Sequence, residues 1–215
     1  MAVITLIRIA TFWQQKSISY FYGFKGSGEQ IGDPKFEIAS AYPGLENYYG
    51  ALVGLCFTMP YAISGLYTGN LTRRGNRKLM MIGVIAMMSM LQVGTGAVNS
   101  LAVLALFRFI HGAISSAVNP MAFSLVSDYF PPEKRTTANS ILSAANFVGI
   151  ALSSMTILLI KEVGWRASYI AMGEMGLLAA ATMMLHKDPV RGQFDLSQSK
   201  YEMNKVTPDT LKEKK

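Results

Sequence analysis

Arg108 and Glu174 are the residues whose type and depth first suggest chemistry, because each is an ionisable group inside a long apolar run. Such groups are costly at lipid depth and ordinarily find a partner, so an intramembrane Arg108–Glu174 pair is expected, serving as a structural tie or as a proton or solute site. If their helices enter from the same side, a rise of about 1.5 Å per residue puts both roughly 10 Å below the entry. Gln14, Gln15, Asn119 and Asn146 are further polar side chains in apolar surroundings and are candidates to line a solute path. Bond-making catalysis is not indicated: there is no phosphate loop, nucleophile elbow or pair of catalytic carboxylates. No enzyme activity and no cofactor are expected. His111 has no second His or carboxylate three or four residues away, and Cys56 is the only cysteine, so neither a metal site nor an intramolecular disulfide is expected. The 14 methionines lie mostly in apolar runs and read as packing residues.

These side chains need long helices to hold them. Of 215 residues, 51% are hydrophobic and 15% charged, with the charges confined to a few gaps, which is unlike a soluble domain. A bilayer span takes roughly 20 mostly apolar residues. On that scale the chain divides into six spans near 2–24, 47–69, 79–98, 101–127, 138–160 and 167–185. The expected organisation is a weak first helix (1–24), an outer-side loop (25–46), five further helices (47–186) and a polar inner-side tail (187–215). The first span is interrupted by Arg8, Gln14, Gln15 and Lys16, so the sequence leaves open whether it crosses fully. Short connections make neighbouring helices antiparallel. Small-residue clusters such as Gly112-Ala-Ile-Ser-Ser-Ala117 let helix backbones approach closely.

The net charge of +7 could suggest nucleic acid, yet the cations flank hydrophobic spans rather than form an exposed basic face. They report orientation instead. The loop residues Arg73, Arg74, Arg77 and Lys78, with no acid among them, and Lys134 and Arg135 in the 128–137 loop, face the inner side in this reading. Six spans then put both termini on that side.

Several motifs occur in a telling order: Gly69-Asn-Leu-Thr-Arg-Arg-Gly-Asn-Arg-Lys78, Arg108-Phe-Ile-His-Gly112, Phe130-Pro-Pro-Glu-Lys-Arg-Thr-Thr-Ala-Asn139, Gly164-Trp-Arg166 and Asp188-Pro-Val-Arg-Gly192. Together they resemble the N-terminal half of the major facilitator superfamily, and its spinster-like members in particular. In the first motif Gly69, Leu71, Arg74, Asn76, Arg77 and Lys78 carry the likeness. The resemblance covers about residues 47 to 192. It implies an all-α membrane protein whose six helices form one half, a 3+3 inverted repeat, of a fold that binds substrate between two halves near the midplane.

The chain also departs from the family pattern. Arg73 stands where the family has aspartate, a charge reversal that would disable the latch between halves. Spinster-like members carry an aspartate on helix 1 and a glutamate on helix 4, whereas residues 1–28 here hold no acid and Ser115 takes the glutamate position. With six spans and a depleted coupling set, the expectation is a structural or accessory subunit of a larger membrane complex, its transport activity lost. The alternative is a transporter of small organic solutes or lysolipids, working as a dimer of halves or with a separate C-terminal half. Expected partners are the lipid bilayer and other membrane subunits on the exposed half-transporter face and tail, with Arg8, Lys16 and the helix 1 glutamines among the contacts. An acid-free, basic N-terminus without a secretory signal points to the mitochondrial inner membrane.

Overall fold

In lipid every backbone polar group must be satisfied within the chain, and for apolar runs of this length the helix achieves that. The computed structural model describes residues 1–186 and Phe194, with the backbone alone for residues 71–74. Among those residues it is helical without strands. The elements are α1 (Ala2–Gly23), α2 (Ile38–Ala41), α3 (Leu45–Gly50), α4 (Cys56–Arg74), α5 (Arg77–Ala97), α6 (Leu101–Ser115), α7 (Val118–Tyr129), α8 (Pro132–Val163) and α9 (Trp165–Met184). A π-helical turn, Ala51–Leu55, joins α3 to α4 and precedes Pro60, whose ring and missing N–H disturb the helix at that point. Among the described residues, five stretches are long and apolar enough to cross a membrane: Leu45–Asn70, Arg77–Ala97, Leu101–Tyr129, Pro132–Val163 and Trp165–Met184. The polar tail 187–215, apart from Phe194, lies outside the described residues.

One expectation about the elements changes. The span at 101–127 is not one continuous helix but breaks at Ser116 and Ala117. Pro120 cannot donate to the Ser116 carbonyl, and the Ser115 and Ser116 hydroxyls donate back to the carbonyls of Gly112 and Ala113 at 2.9 and 2.8 Å. The first helix, whose weak hydropathy leaves it outside those five stretches, is nonetheless continuous. It runs for 22 residues, about 33 Å at 1.5 Å per residue and so enough for a bilayer core. Its polar stripe Arg8, Thr11, Gln14 and Ser17 is buried against neighbouring helices rather than in lipid.

Each of the first three spans packs along one of the last three: α1 on α8, α4 on α6, and α5 on α9. The α4–α6 crossing depends on Gly112, where a Cβ would collide with the Phe57 carbonyl. Ends are fixed by local chemistry. Asn76 caps α5 by accepting from the Leu79 N–H at 3.1 Å. Pro132 opens α8 with Glu133 in its first turn and Lys161 in its last, as the helix dipole favours. Arg166 donates to the Gly96 and Val98 carbonyls at 3.1 and 2.7 Å, neutralising the C-terminal end of α5.

The outer loop is tied down at the turn between α8 and α9. Gly164 takes φ 88°, and a Cβ there would lie 2.6 Å from the Lys35 carbonyl, so only glycine fits. Trp165 then donates its backbone N–H to Lys35 O at 3.2 Å and its indole N–H to Pro34 O at 2.9 Å. Inside the loop, Glu37 accepts from the Gly26 N–H at 2.8 Å and from the Ser40 hydroxyl at 3.2 Å. The Gly26 N–H holds its carboxyl below the usual carboxylate range, aided by Gly32, Ser40 and Lys25.

Buried side chains form three layers. One apolar cluster, including Ile7, Met81, Met121 and Leu142, lies toward the end that carries the 70–78 loop. Another, including Phe21, Leu104, Trp165 and Tyr169, lies toward the opposite end. Between them sit the buried polar residues Arg8, Thr11, Gln14, Ser89, Gln92, Arg108 and His111.

Candidate functional site

The polar layer is centred on two arginines that come from different helices. Arg108 on α6 is 9% exposed. Its Nη2 donates to the Gln15 carbonyl of α1 at 3.0 Å, and its guanidinium lies 4.6 Å from the centroid of Phe57 on α4. Arg8 on α1 is 1% exposed. It donates to Asn119 Oδ1 on α7 and lies within cation–π distance of Phe12 and Phe123, 5.1 and 5.9 Å from their centroids. Asn119 in turn donates to the Tyr61 hydroxyl on α4 at 2.9 Å. Phe57 and Tyr61, one turn apart on α4, stack with centroids 5.9 Å apart.

The result is one continuous seam, Arg108–Phe57–Tyr61–Asn119–Arg8, crossing α6, α4, α7 and α1. Both cations are held by amide or carbonyl oxygens and by aromatic faces. Neither meets a carboxylate among the described residues. In a low-dielectric layer such guanidinium groups attract an anion strongly, since little water is present to screen them.

The expected Arg108–Glu174 pair does not form. Glu174 is exposed on α9, off the buried stripe Tyr169, Met172, Gly173 and Gly176. Counting residues matched the depths but not the direction: Glu174 follows buried Met172 by two positions, about 200° around the helix. The ion pair that does form among the described residues joins Arg77 to Asp128 at 2.6 Å. Arg77 also donates to Ser124 O at 3.3 Å. Lys78 donates to the Met184 carbonyl at 3.4 Å and to the His186 carbonyl, closing the C-terminal end of α9. The loop motif therefore fastens the start of α5 to the ends of α7 and α9. The side chains of Leu71, Arg73 and Arg74 lie outside the described residues, and Gly69 has open space around it.

The other candidates separate. Asn119 belongs to the seam through its side chain and Gln15 through its carbonyl. Gln14 ties helices together instead, donating to Met172 O at 3.0 Å and Ser89 Oγ at 3.3 Å. Asn146 is half-buried on α8, its Oδ1 buried without a partner, and is not joined to the seam. Arg8 is the residue that sequence reasoning misplaced, as a contact for partners or head groups. A signal existed: Arg8, Thr11, Gln14 and Ser17 recur at helical spacing, so they share one inward face.

The sequence model for the Major Facilitator Superfamily matches residues 35–210. Among curated proteins, the chain is 29% identical over 142 residues to one named "Probable L-galactonate transporter" from Escherichia coli, covering 65% of this chain and 31% of the relative. It is 25% identical over 169 residues to "Protein spinster homolog 1" of Bos taurus, covering 74% of this chain and 32% of the relative. The chain thus spans about a third of the curated relatives it matches. Among solved structures, a bacterial homologue of the human lysosomal transporter Spinster, inward-facing and unoccupied, superposes with a TM-score of 0.76 at 24% identity. That superposition covers 89% of this chain and 43% of the solved one.

Proposed function

This chain belongs to the major facilitator superfamily, and on that premise we propose that it is one six-helix half of a transporter for small organic anions, acting with a second half. The observation that carries this reading is the seam itself: two buried arginines, an amide and a phenol contributed by four helices, with no carboxylate among the described residues to neutralise them. A carboxylate solute supplies the missing charge. The relative named for L-galactonate supports the same class, since that solute is a sugar acid.

Solute transport is better supported than an accessory-subunit role. The Escherichia coli relative is named as a transporter, and a purely structural bundle has no need to bury two cations at the cost they carry in a membrane. The second half is supplied by a longer form of the same polypeptide, a second copy, or a separate chain. With no acid in the seam, the cycle we propose does not couple to protons through Asp or Glu there. The charge asymmetry favours both termini on the cytoplasmic or matrix side.

Proteoliposome uptake tests the reading, using labelled sugar acids, other small carboxylates, neutral sugars and lysolipid with the chain alone and as a tandem fusion. The expected result is saturable carboxylate uptake, reduced at least tenfold by Arg108→Gln and by Arg8→Gln in protein that remains folded. Uptake confined to neutral solutes or lysolipid would refute the anion class. No uptake in any format, with the chain migrating as part of a large fixed complex on native gels, would return the accessory-subunit reading to first place.

A further inference from the structure

Where Arg108 faces α5 and α9 instead of the seam, it borders a small cavity lined also by Gln92, His111 and Tyr169, with Leu104 and Phe107 as apolar walls. The free volume, about 10 Å³ for the centre of a water-sized sphere, is room for a single small particle. Gln92 and His111 are each 3% exposed and Arg108 9%. All three carry buried nitrogens with no hydrogen-bond partner among the described residues: Gln92 Nε2, Arg108 Nε and both ring nitrogens of His111, one of which is a donor in the neutral ring. Orphaned buried donors are costly, and several bordering one cavity point to a ligand that accepts from them.

Charge decides which ligand. The other contacts of Arg108 are a carbonyl and an aromatic ring, while Glu174 is exposed on α9 and Asp128 is paired with Arg77. A water molecule accepts the N–H groups yet leaves the cation uncompensated in a low-dielectric layer. A halide ion, somewhat larger than water, does both. A carboxylate solute is too large for this space, so the cavity is separate from the proposed transport seam although both use Arg108.

We propose that this cavity is a halide site, holding chloride against Arg108 Nε–H, Gln92 Nε2–H and one ring N–H of His111. The bound ion compensates Arg108 from behind while the seam is empty of solute, and fixes the guanidinium on which Phe57 and Gln15 converge.

Thermal unfolding of the purified full chain in detergent tests this at constant ionic strength, with chloride or bromide exchanged for gluconate. The expected result is a saturable rise in Tm with either halide. Gln92→Leu and His111→Leu should each raise the half-saturating chloride concentration at least tenfold, and Arg108→Gln should abolish the response. Superimposable unfolding curves in chloride and gluconate would overturn the proposal. So would an undiminished chloride response in both Gln92→Leu and His111→Leu, which place the decision beyond any folding defect in Arg108→Gln. Because the readout is stability, the proposal stands or falls independently of transport.

Discussion

Asn119 holds Arg8, the least exposed cation among the described residues, so its amide oxygen is worth more than its small size suggests. Replacing it with Leu leaves the Arg8 guanidinium without that acceptor, and stability should fall by about 1–3 kcal/mol. Thermal or denaturant unfolding in detergent measures this. In the double variant with Arg8→Met most of the loss should return, because both polar partners are then gone and neither is left unpaired. Glu37 gives an expectation in pH. Its carboxyl titrates below its unfolded value, so its contribution to outer-loop order is present above the ordinary carboxylate pKa and is lost as pH falls through the lowered folded one. Amide exchange at Gly26 should therefore accelerate toward acid beyond the intrinsic rate change, and Glu37→Gln should abolish that extra acceleration. The contrast between Glu174 and Arg8 shows what residue types alone report. Both are visibly ionisable in apolar runs, but which way each points depends on a rotation of about 100° per residue about the helix axis and on where the neighbours lie.

Among the elements, α6 and α7 show a limit of the hydropathy pattern. Apolar content over 101–127 is continuous, so a single span is the natural reading. Pro120 and the adjacent serines break it, and the break sets Asn119 at the start of α7, within reach of Arg8 and Tyr61. The α4–α6 crossing carries the element-scale expectation. Gly112→Leu puts a side chain against the Phe57 backbone, which cannot yield as a flexible side chain would. Destabilisation of about 1–3 kcal/mol should follow, together with loss of the Arg108–Phe57 contact. Unfolding reports the first effect, and uptake of the carboxylate solute reports the second. The small-residue cluster around Gly112 was legible in the sequence as a packing surface. Its partner was not, since nothing local says that α4 rather than α5 lies across from α6.

At the scale of the whole molecule, six long helices pair as α1–α8, α4–α6 and α5–α9, with two apolar clusters enclosing one polar layer. The seam draws on α1, α4, α6 and α7, and if it binds solute between two halves, a covalent tandem of the chain should transport at least as fast per half as the separate chain at low protein density. Uptake measured across a range of protein-to-lipid ratios checks this: the separate chain should lose activity steeply on dilution while the tandem does not. The sequence by itself determined the membrane-spanning all-α class, the approximate limits of the spans and the family, because these depend on composition, on runs of about 20 residues and on motifs that are local in the chain. Tertiary structure alone decided that Arg108 turns to Gln15 and Phe57 instead of Glu174, and that Arg8 joins Asn119. Those contacts link residues as many as 111 positions apart, and they are set by the azimuth of each helix and by which helices pair. A linear pattern carries depth and period, but it holds neither of those.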